Sequence, residues 1–294
     1  VPPLAGAISG TVASEIRLLI DRDGDGNFTT GTVDIITATD YSSGVATFDN
    51  VDFQDGDVFT VGTKLPDVTL SVKVLLQGAA IDATAGMMRN DLQTYGPPLM
   101  MPTTDPYLGT TTYPDMNNDA GVAGAVTDWV LVQIRDATDP SLVLEQKALL
   151  VQTDGEVVDE TGAAPKFAPQ AGAVHIIVQH RNHLAVMSNS IAVFQDAVSY
   201  DFTTALTQAY KEDPGDPDPM IQVNGFWTMW AGDKNMDGVI DNLDLTDVKQ
   251  DFDLFLFEDY FLTDVNLDSV VDNLDLTLTK TNFDLFPYSP IIFY

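Results

Sequence analysis

Apolar and polar positions alternate in short runs along most of the chain. Residues 15–20, 33–39, 45–48 and 58–61, with a further run at 7–13, are β-branched or aromatic, and Gly, Asp, Asn and Ser clusters divide them at hairpin spacing. This pattern predicts an antiparallel β unit over residues 1–66. Residues 68–77 alternate as a half-buried strand does, and strong strand runs return at 128–135, 142–153, 175–180 and 190–194. Asp139-Pro140-Ser141, Asp154-Gly155 and Arg181-Asn182-His183 supply turns between them. Residues 67–210 therefore read as a β-sandwich unit. Its stretch over 82–124, rich in Pro, Thr, Asn, Asp, Gly and Met, has no period and is too long for a structureless loop, so packing is expected to order it. Residues 211–222, with Pro214, Pro217 and Pro219 among aspartates, read as a linker and as the clearest domain boundary. The expected fold is mostly β: one or two antiparallel β-sandwich units, then a small α-helical domain over 223–294.

That last domain carries an internal repeat. The segment Asp233-Lys234-Asn235-Met236-Asp237-Gly238-Val239-Ile240-Asp241-Asn242-Leu243-Asp244-Leu245 returns 264 − 233 = 31 residues later as Asp264-Val265-Asn266-Leu267-Asp268-Ser269-Val270-Val271-Asp272-Asn273-Leu274-Asp275-Leu276. The match extends to Phe252-Asp253-Leu254-Phe255 and Phe283-Asp284-Leu285-Phe286. Each copy places oxygen-bearing side chains at positions 1, 3, 5, 9 and 12 of a twelve-residue loop: Asp233, Asn235, Asp237, Asp241 and Asp244, then Asp264, Asn266, Asp268, Asp272 and Asp275. Val239 and Val270, at position 7, would add a backbone carbonyl. Calcium takes six to eight hard oxygens in flexible geometry, and this spacing is that of the EF-hand loop. Four carboxylates in one small sphere call for a divalent cation, so Ca2+ is the expected cofactor. Ser269 stands where the first loop has Gly238, so the second loop is expected to be the weaker or more strained site.

On these residues, the stretch from about 231 to 294 resembles a bacterial type I dockerin, with two calcium loops, each bearing Asp at position 12 and leading into one helix. The resemblance implies two loop–helix units related by a pseudo-two-fold axis and a cohesin partner docking on the helix faces. The middle of the chain, through Asp128-Trp129-Val130-Leu131-Val132 and His180-Arg181-Asn182-His183-Leu184, resembles a block in uncharacterised secreted bacterial surface proteins that often carry a dockerin-like tail. It implies an exported product, secreted and extracellular or held at the cell surface.

A third acidic loop lies near the N-terminus, where Asp21, Asp23, Asp25, Asn27 and Thr29 offer oxygens at positions 1, 3, 5, 7 and 9, with Thr32 in place of the bidentate acid. It is either a calcium-clamped hairpin or an acidic turn. Asn27-Phe28-Thr29 is also a glycosylation sequon.

Charge narrows the partners. The sequence holds 13 Lys and Arg against 44 Asp and Glu, a formal charge of −31, which leaves little from which to build a phosphate-binding face, so no nucleic acid is expected. No run approaches the roughly 18 apolar residues of a bilayer span, so no membrane insertion is expected. The absence of Cys excludes disulfides, thiolate metal sites and a cysteine nucleophile. The first residues, Val1-Pro2-Pro3, fit removal of a secretory signal peptide. His175, His180 and His183 lie in one short stretch without a metal-ligand pattern, and no nucleophile elbow or nucleotide motif is present, so the chain is read as no enzyme. The apolar ends, Val1-Pro2-Pro3-Leu4-Ala5 and Pro290-Ile291-Ile292-Phe293-Tyr294, need cover. Docking on other copies would supply it, which points to a calcium-stabilised structural protein assembling into a filament or surface layer. The alternative is a binding module tethered by its dockerin to a cohesin and recognising glycans.

Overall fold

The computed structural model describes residues 12–81, 83–94, 100–113, 125–289 and 291. The chain forms two units, Val1–Pro66 and Asp67–Tyr294. The segment at 211–222 divides nothing. The indole Nε1 of Trp230 donates to Asp218 O (2.8 Å), and Lys211 pairs with Asp218 (3.1 Å), so this Pro/Asp stretch lies against the residues that follow it. The predicted strand at 7–13 falls almost entirely outside the described residues, as do the apolar residues Val1–Ala5.

In the first unit β1 (Ile16–Asp21) lies between β2 (Val33–Thr37) and β5 (Val58–Thr63), antiparallel to both, with a separate hairpin of β3 (Asp40–Ser42) and β4 (Val45–Thr47). Ile16, Leu18 and Ile20 alternate inward along β1 and are buried.

The second unit is built on an antiparallel five-stranded sheet in the order β12-β11-β7-β8-β9. Its strands are β7 (Val126–Asp136), β8 (Val143–Gln152), β9 (Val157–Val158), β11 (Val174–His180) and β12 (His183–Met187). A smaller sheet pairs β6 (Val68–Lys73) with β10 (Lys166–Phe167) antiparallel and with β13 (Ala197–Asp201) parallel. Val68, Leu70 and Val72 of β6 meet Val130, Val132, Ile134, Ile176 and Val178 of the large sheet in one core, the packing of a β-sandwich. Trp129 is fully buried there, its indole N–H donating to Pro102 O (2.9 Å). The described parts of the 82–124 stretch are ordered by packing, with Met88, Leu92, Met101 and Tyr113 in the same core. A one-turn helix, α1 (Gln77–Ala80), precedes this stretch and another, α2 (Asp91–Thr94), lies within it.

Residues 190–194, read as a strand, make only the isolated bridges Val174↔Ile191 and Gln170↔Phe194. The strand partner of β11 is instead β12, reached through the tight turn at Arg181-Asn182. After the hairpin of β14 (Ile221–Val223) and β15 (Phe226–Thr228), the chain enters α3 (Asn242–Asp253) and α4 (Asn273–Phe283). This tail lies on the outer face of the large sheet. Leu184 packs with Trp230 and Ile240, while Ile291 is buried with Ile177, Ala185 and Met187. Both faces of the β11–β12 hairpin are thus covered, which explains why its residues are buried without alternation.

Candidate metal centres and docking surface

Each acidic loop runs directly into its helix. Asp241 and Asp272 are the N-caps of α3 and α4, accepting from Leu243 N (2.7 Å) and Leu274 N (2.6 Å). Asp244 and Asp275, three residues on, close the capping boxes by accepting from Asp241 N (3.0 Å) and Asp272 N (2.9 Å). Their other oxygens gather the start of the loop: Asp244 Oδ1 accepts from Lys234 N (2.9 Å), and Asp275 Oδ1 accepts from Val265 N (2.8 Å) and Asn266 N (3.1 Å). The first aspartates point inward, where Asp233 Oδ2 accepts from Gly238 N (3.2 Å) and Asp264 Oδ2 from Ser269 N (2.9 Å). Gly238 and Ser269 both have positive φ, +85° and +71°. The serine therefore holds the glycine's turn at a steric cost that glycine would not incur.

Burial sets the electrostatics. Asp233, Asp244, Asp264 and Asp275 are all buried. Burial, followed by the charges of Asp244 and Asp237, pushes the Asp233 carboxyl up to about 8. Burial also raises Asp264 to about 8, against the pull of Arg181, and Asp275 to about 7. Asp233 Oδ1 is buried with no hydrogen-bond partner. An unpaired carboxylate oxygen among other buried carboxylates is the environment a divalent cation neutralises. The donor set, carboxylates with Asn235, Asn266 and position-7 carbonyls, is all oxygen and suits calcium.

The N-terminal loop differs. It joins β1 to β2, and among the described residues Asp21, Asp23 and Asp25 are the group of three carboxylates whose oxygens lie within 4.8 Å of one another. The C-terminal loops do not close so tightly. Asp21 is buried and already accepts from three backbone N–H groups, those of Asp23, Gly24 and Gly26, while Asp23 and Asp25 are exposed. Asn27, also exposed, turns its Oδ1 to Thr29 Oγ1 (2.7 Å).

The tail is held on the sheet by the His180-Arg181-Asn182-His183 turn, whose side chains bind a buried carboxylate and the tail's backbone carbonyls. Asp128 of β7 is fully buried and receives Arg181 Nε (2.9 Å), His180 Nε2 (3.1 Å) and the Tyr260 hydroxyl (2.6 Å). Burial alone would raise its carboxyl, but Arg181 and His180 hold it down at about 2. The Arg181 guanidinium lies 4.0 Å over the Tyr260 ring and donates to Phe261 O. Asn182 Nδ2 donates to Leu262 O (3.0 Å) and Asp264 O (2.7 Å), so the hairpin turn grips the entry to the second loop. His183 Nε2 accepts from Gly78 N (3.3 Å), which leaves its Nδ1 to carry the proton towards Asn182 Oδ1 (2.8 Å) or His180 Nδ1 (3.0 Å). On the other side, Gln77 and Asn282 form a reciprocal amide pair (2.7 and 3.3 Å), and each also bonds the backbone of Ala231.

Both repeats leave large apolar side chains exposed at the ends of their helices. Leu254 and Phe255 are 67% and 77% exposed, and their counterparts Leu285 and Phe286 are 56% and 64% exposed. Leu243 and Leu274, at the helix starts, are exposed as well. A groove between the end of α3 and the second loop is lined by Phe252, Phe255, Phe257, Val270 and Val271. Among the described residues no helix is long and apolar enough to cross a membrane.

Comparison with protein families and with curated proteins finds no match. Solved structures are similar in part, two chains among them. One belongs to an N-terminal interface mutant of a type II cohesin–X-dockerin complex from Acetivibrio cellulolyticus, at 16% identity and TM-score 0.32, covering 52% of this chain and 80% of that one. The other belongs to a C-terminal interface mutant of the same kind of complex, at 13% identity and TM-score 0.35, covering 74% of this chain and 95% of that one.

Proposed function

We propose that this chain is a calcium-stabilised, non-catalytic binding module of an extracellular or cell-surface assembly, and that its C-terminal loop–helix pair docks a cohesin-like partner domain. In this reading Asp233, Asn235, Asp237, Val239, Asp241 and Asp244 hold one calcium ion, and Asp264, Asn266, Asp268, Val270, Asp272 and Asp275 a second. The Asp21 loop is a third candidate. Bound calcium neutralises the buried carboxylates and fixes the helix starts, and the β-sandwich serves as the base that orients them.

The observation that carries the docking reading is the pair of matched exposures, Leu254-Phe255 and Leu285-Phe286, at equivalent places 31 residues apart in the two repeats. Large apolar side chains left outward at equivalent places in both repeats are of the kind partner proteins cover. Self-assembly would need the apolar ends free to dock on other copies. Of those residues only Ile291 among 290–294 is described, and it is buried within its own chain.

The test is titration of the full chain against a panel of immobilised cohesin domains, with calcium and with EGTA. The expected result is calcium-dependent binding to at least one, weakened about tenfold or more by Phe255→Ala with Phe286→Ala while the melting temperature stays unchanged. Binding to none, or binding indifferent to both EGTA and the substitutions, would sink the docking reading.

A further inference from the structure

The two calcium loops are near-copies in sequence but sit in different surroundings. In the first loop Asn235 and Asp237 are exposed, and among the described residues no cation pairs with Asp237. In the second loop the counterpart Asn266 is buried, and Asp268, the counterpart of Asp237, is partly covered and faces Arg89, whose Nη1 lies 3.3 Å from Asp268 Oδ2. Arg89 comes from the β-sandwich, and its Nε is held by Asp91 at 3.0 Å.

Two further contacts close this side. Asn182 Nδ2 donates to Asp264 O (2.7 Å) from the β11–β12 turn. Gly78 of α1 packs so tightly on the loop backbone that a Cβ there would stand 1.8 Å from Val265 O. The position equivalent to Val265 in the first loop is Lys234, whose ammonium reaches Asp247 instead (2.5 Å). Opening the second loop therefore means lifting it off the sandwich, with the loss of buried hydrogen bonds. The first loop is held through Ile240, buried against Leu184 and Trp230, and through Ser289 N, which donates to Gly238 O (2.8 Å), but its Asn235–Asp237 side is exposed, so a ligand there can leave without that packing being undone. Sub-global opening costs more free energy than loop fraying and is correspondingly rarer.

From these contacts, and resting on the calcium reading above, we propose that the two loops hold cations of different kinetic class. The second loop keeps a locked structural ion that pins the tail to the sandwich. The first holds an exchangeable ion, which makes the α3 half of the docking surface responsive to calcium concentration. Ser269, which on sequence alone marks the second loop as the weaker, is outweighed because the turn it strains is clamped from outside.

The experiment is rapid mixing of the calcium-loaded full chain with excess quin-2, following chelator fluorescence. Two release phases are expected from these loops, the slower by about tenfold or more. Asp237→Ala should remove the faster and Asp268→Ala the slower. Gly78→Ala should accelerate the slow phase and leave the fast one in place. Because a Cβ at Gly78 clashes with Val265 O, Arg89→Gln, which removes a surface-edge contact without a clash, is measured beside it and should accelerate the same phase severalfold. Equal release rates, or a slow phase that vanishes with Asp237→Ala, would overturn the assignment while leaving calcium binding intact. Failure of the chain to take up calcium would overturn both.

Discussion

Asp128 shows how one residue can settle the standing of a whole segment. Its carboxylate lies in the centre of the second unit with Arg181, His180 and Tyr260 on it, and three of these four residues come from the β-sandwich while the last belongs to the tail. Removing one member of a buried ion pair leaves the other charged and unpaired, so Asp128→Ala should cost about 3–5 kcal/mol in denaturant unfolding. The same cluster sets the acid limit of stability. The folded value of Asp128, about 2, lies below its unfolded value of 3.8, so its contribution is present above about pH 4 and is lost as pH falls towards 2. That term is worth about 2 kcal/mol. His180 and His183 are held neutral, first by burial, so the unfolded chain takes up protons the folded one refuses as pH falls below 6.5. The melting temperature at saturating calcium should accordingly begin to fall just below pH 6.5 and fall faster between 4 and 2. A flat profile across that range would mean the cluster is open to water.

Among elements, the C-terminal helices illustrate the division between intrinsic and borrowed order. α3 and α4 begin where capping boxes place them, yet they are short, and helices of 12 and 11 residues are marginal alone. Packing on each other, on Ala231 and on Gln77 supplies the rest. Asn282→Ala removes the amide that satisfies Gln77 and Ala231 and should destabilise the second unit by about 1–3 kcal/mol, read from chemical denaturation. Thr281→Ala, on the exposed side of the same helix, should fall within about 0.5 kcal/mol of the parent. The large sheet is the opposite case. The apolar run at 128–135 marks β7 by composition alone, because a strand buried on both faces needs no alternation. The run at 190–194 is equally apolar but finds no ladder, since the two-residue turn at Arg181-Asn182 brings β12 to the edge of β11 first.

For the molecule as a whole, calcium should act on the second unit far more than on the first. In the metal-free chain the buried carboxylates of both C-terminal loops must either stay protonated or repel one another. Differential scanning calorimetry with EGTA is expected to lower the melting transition of residues 67–294 by 10 °C or more relative to calcium, since ligand binding to the native state adds directly to its stability. An unchanged transition would remove calcium from the structural account. Because the sheet and tail share one unit, the loss should appear in the β signal and the helical signal together.

By itself, the sequence determined the mostly β character, the main strands of the sandwich, the repeat, the spacing of its oxygen ligands and the helix starts, because periodicity, capping and loop spacing are local properties. The tertiary structure alone decided that the Pro/Asp stretch separates no domains, that Asn182 and Gly78 meet the second loop, and that Arg89 faces Asp268 while no cation among the described residues pairs with Asp237. Those contacts join residues far apart in the chain, and no local pattern records them. Sequence alone separates the two loops by Ser269 against Gly238, but what folds against each is decided by residues far away in the chain.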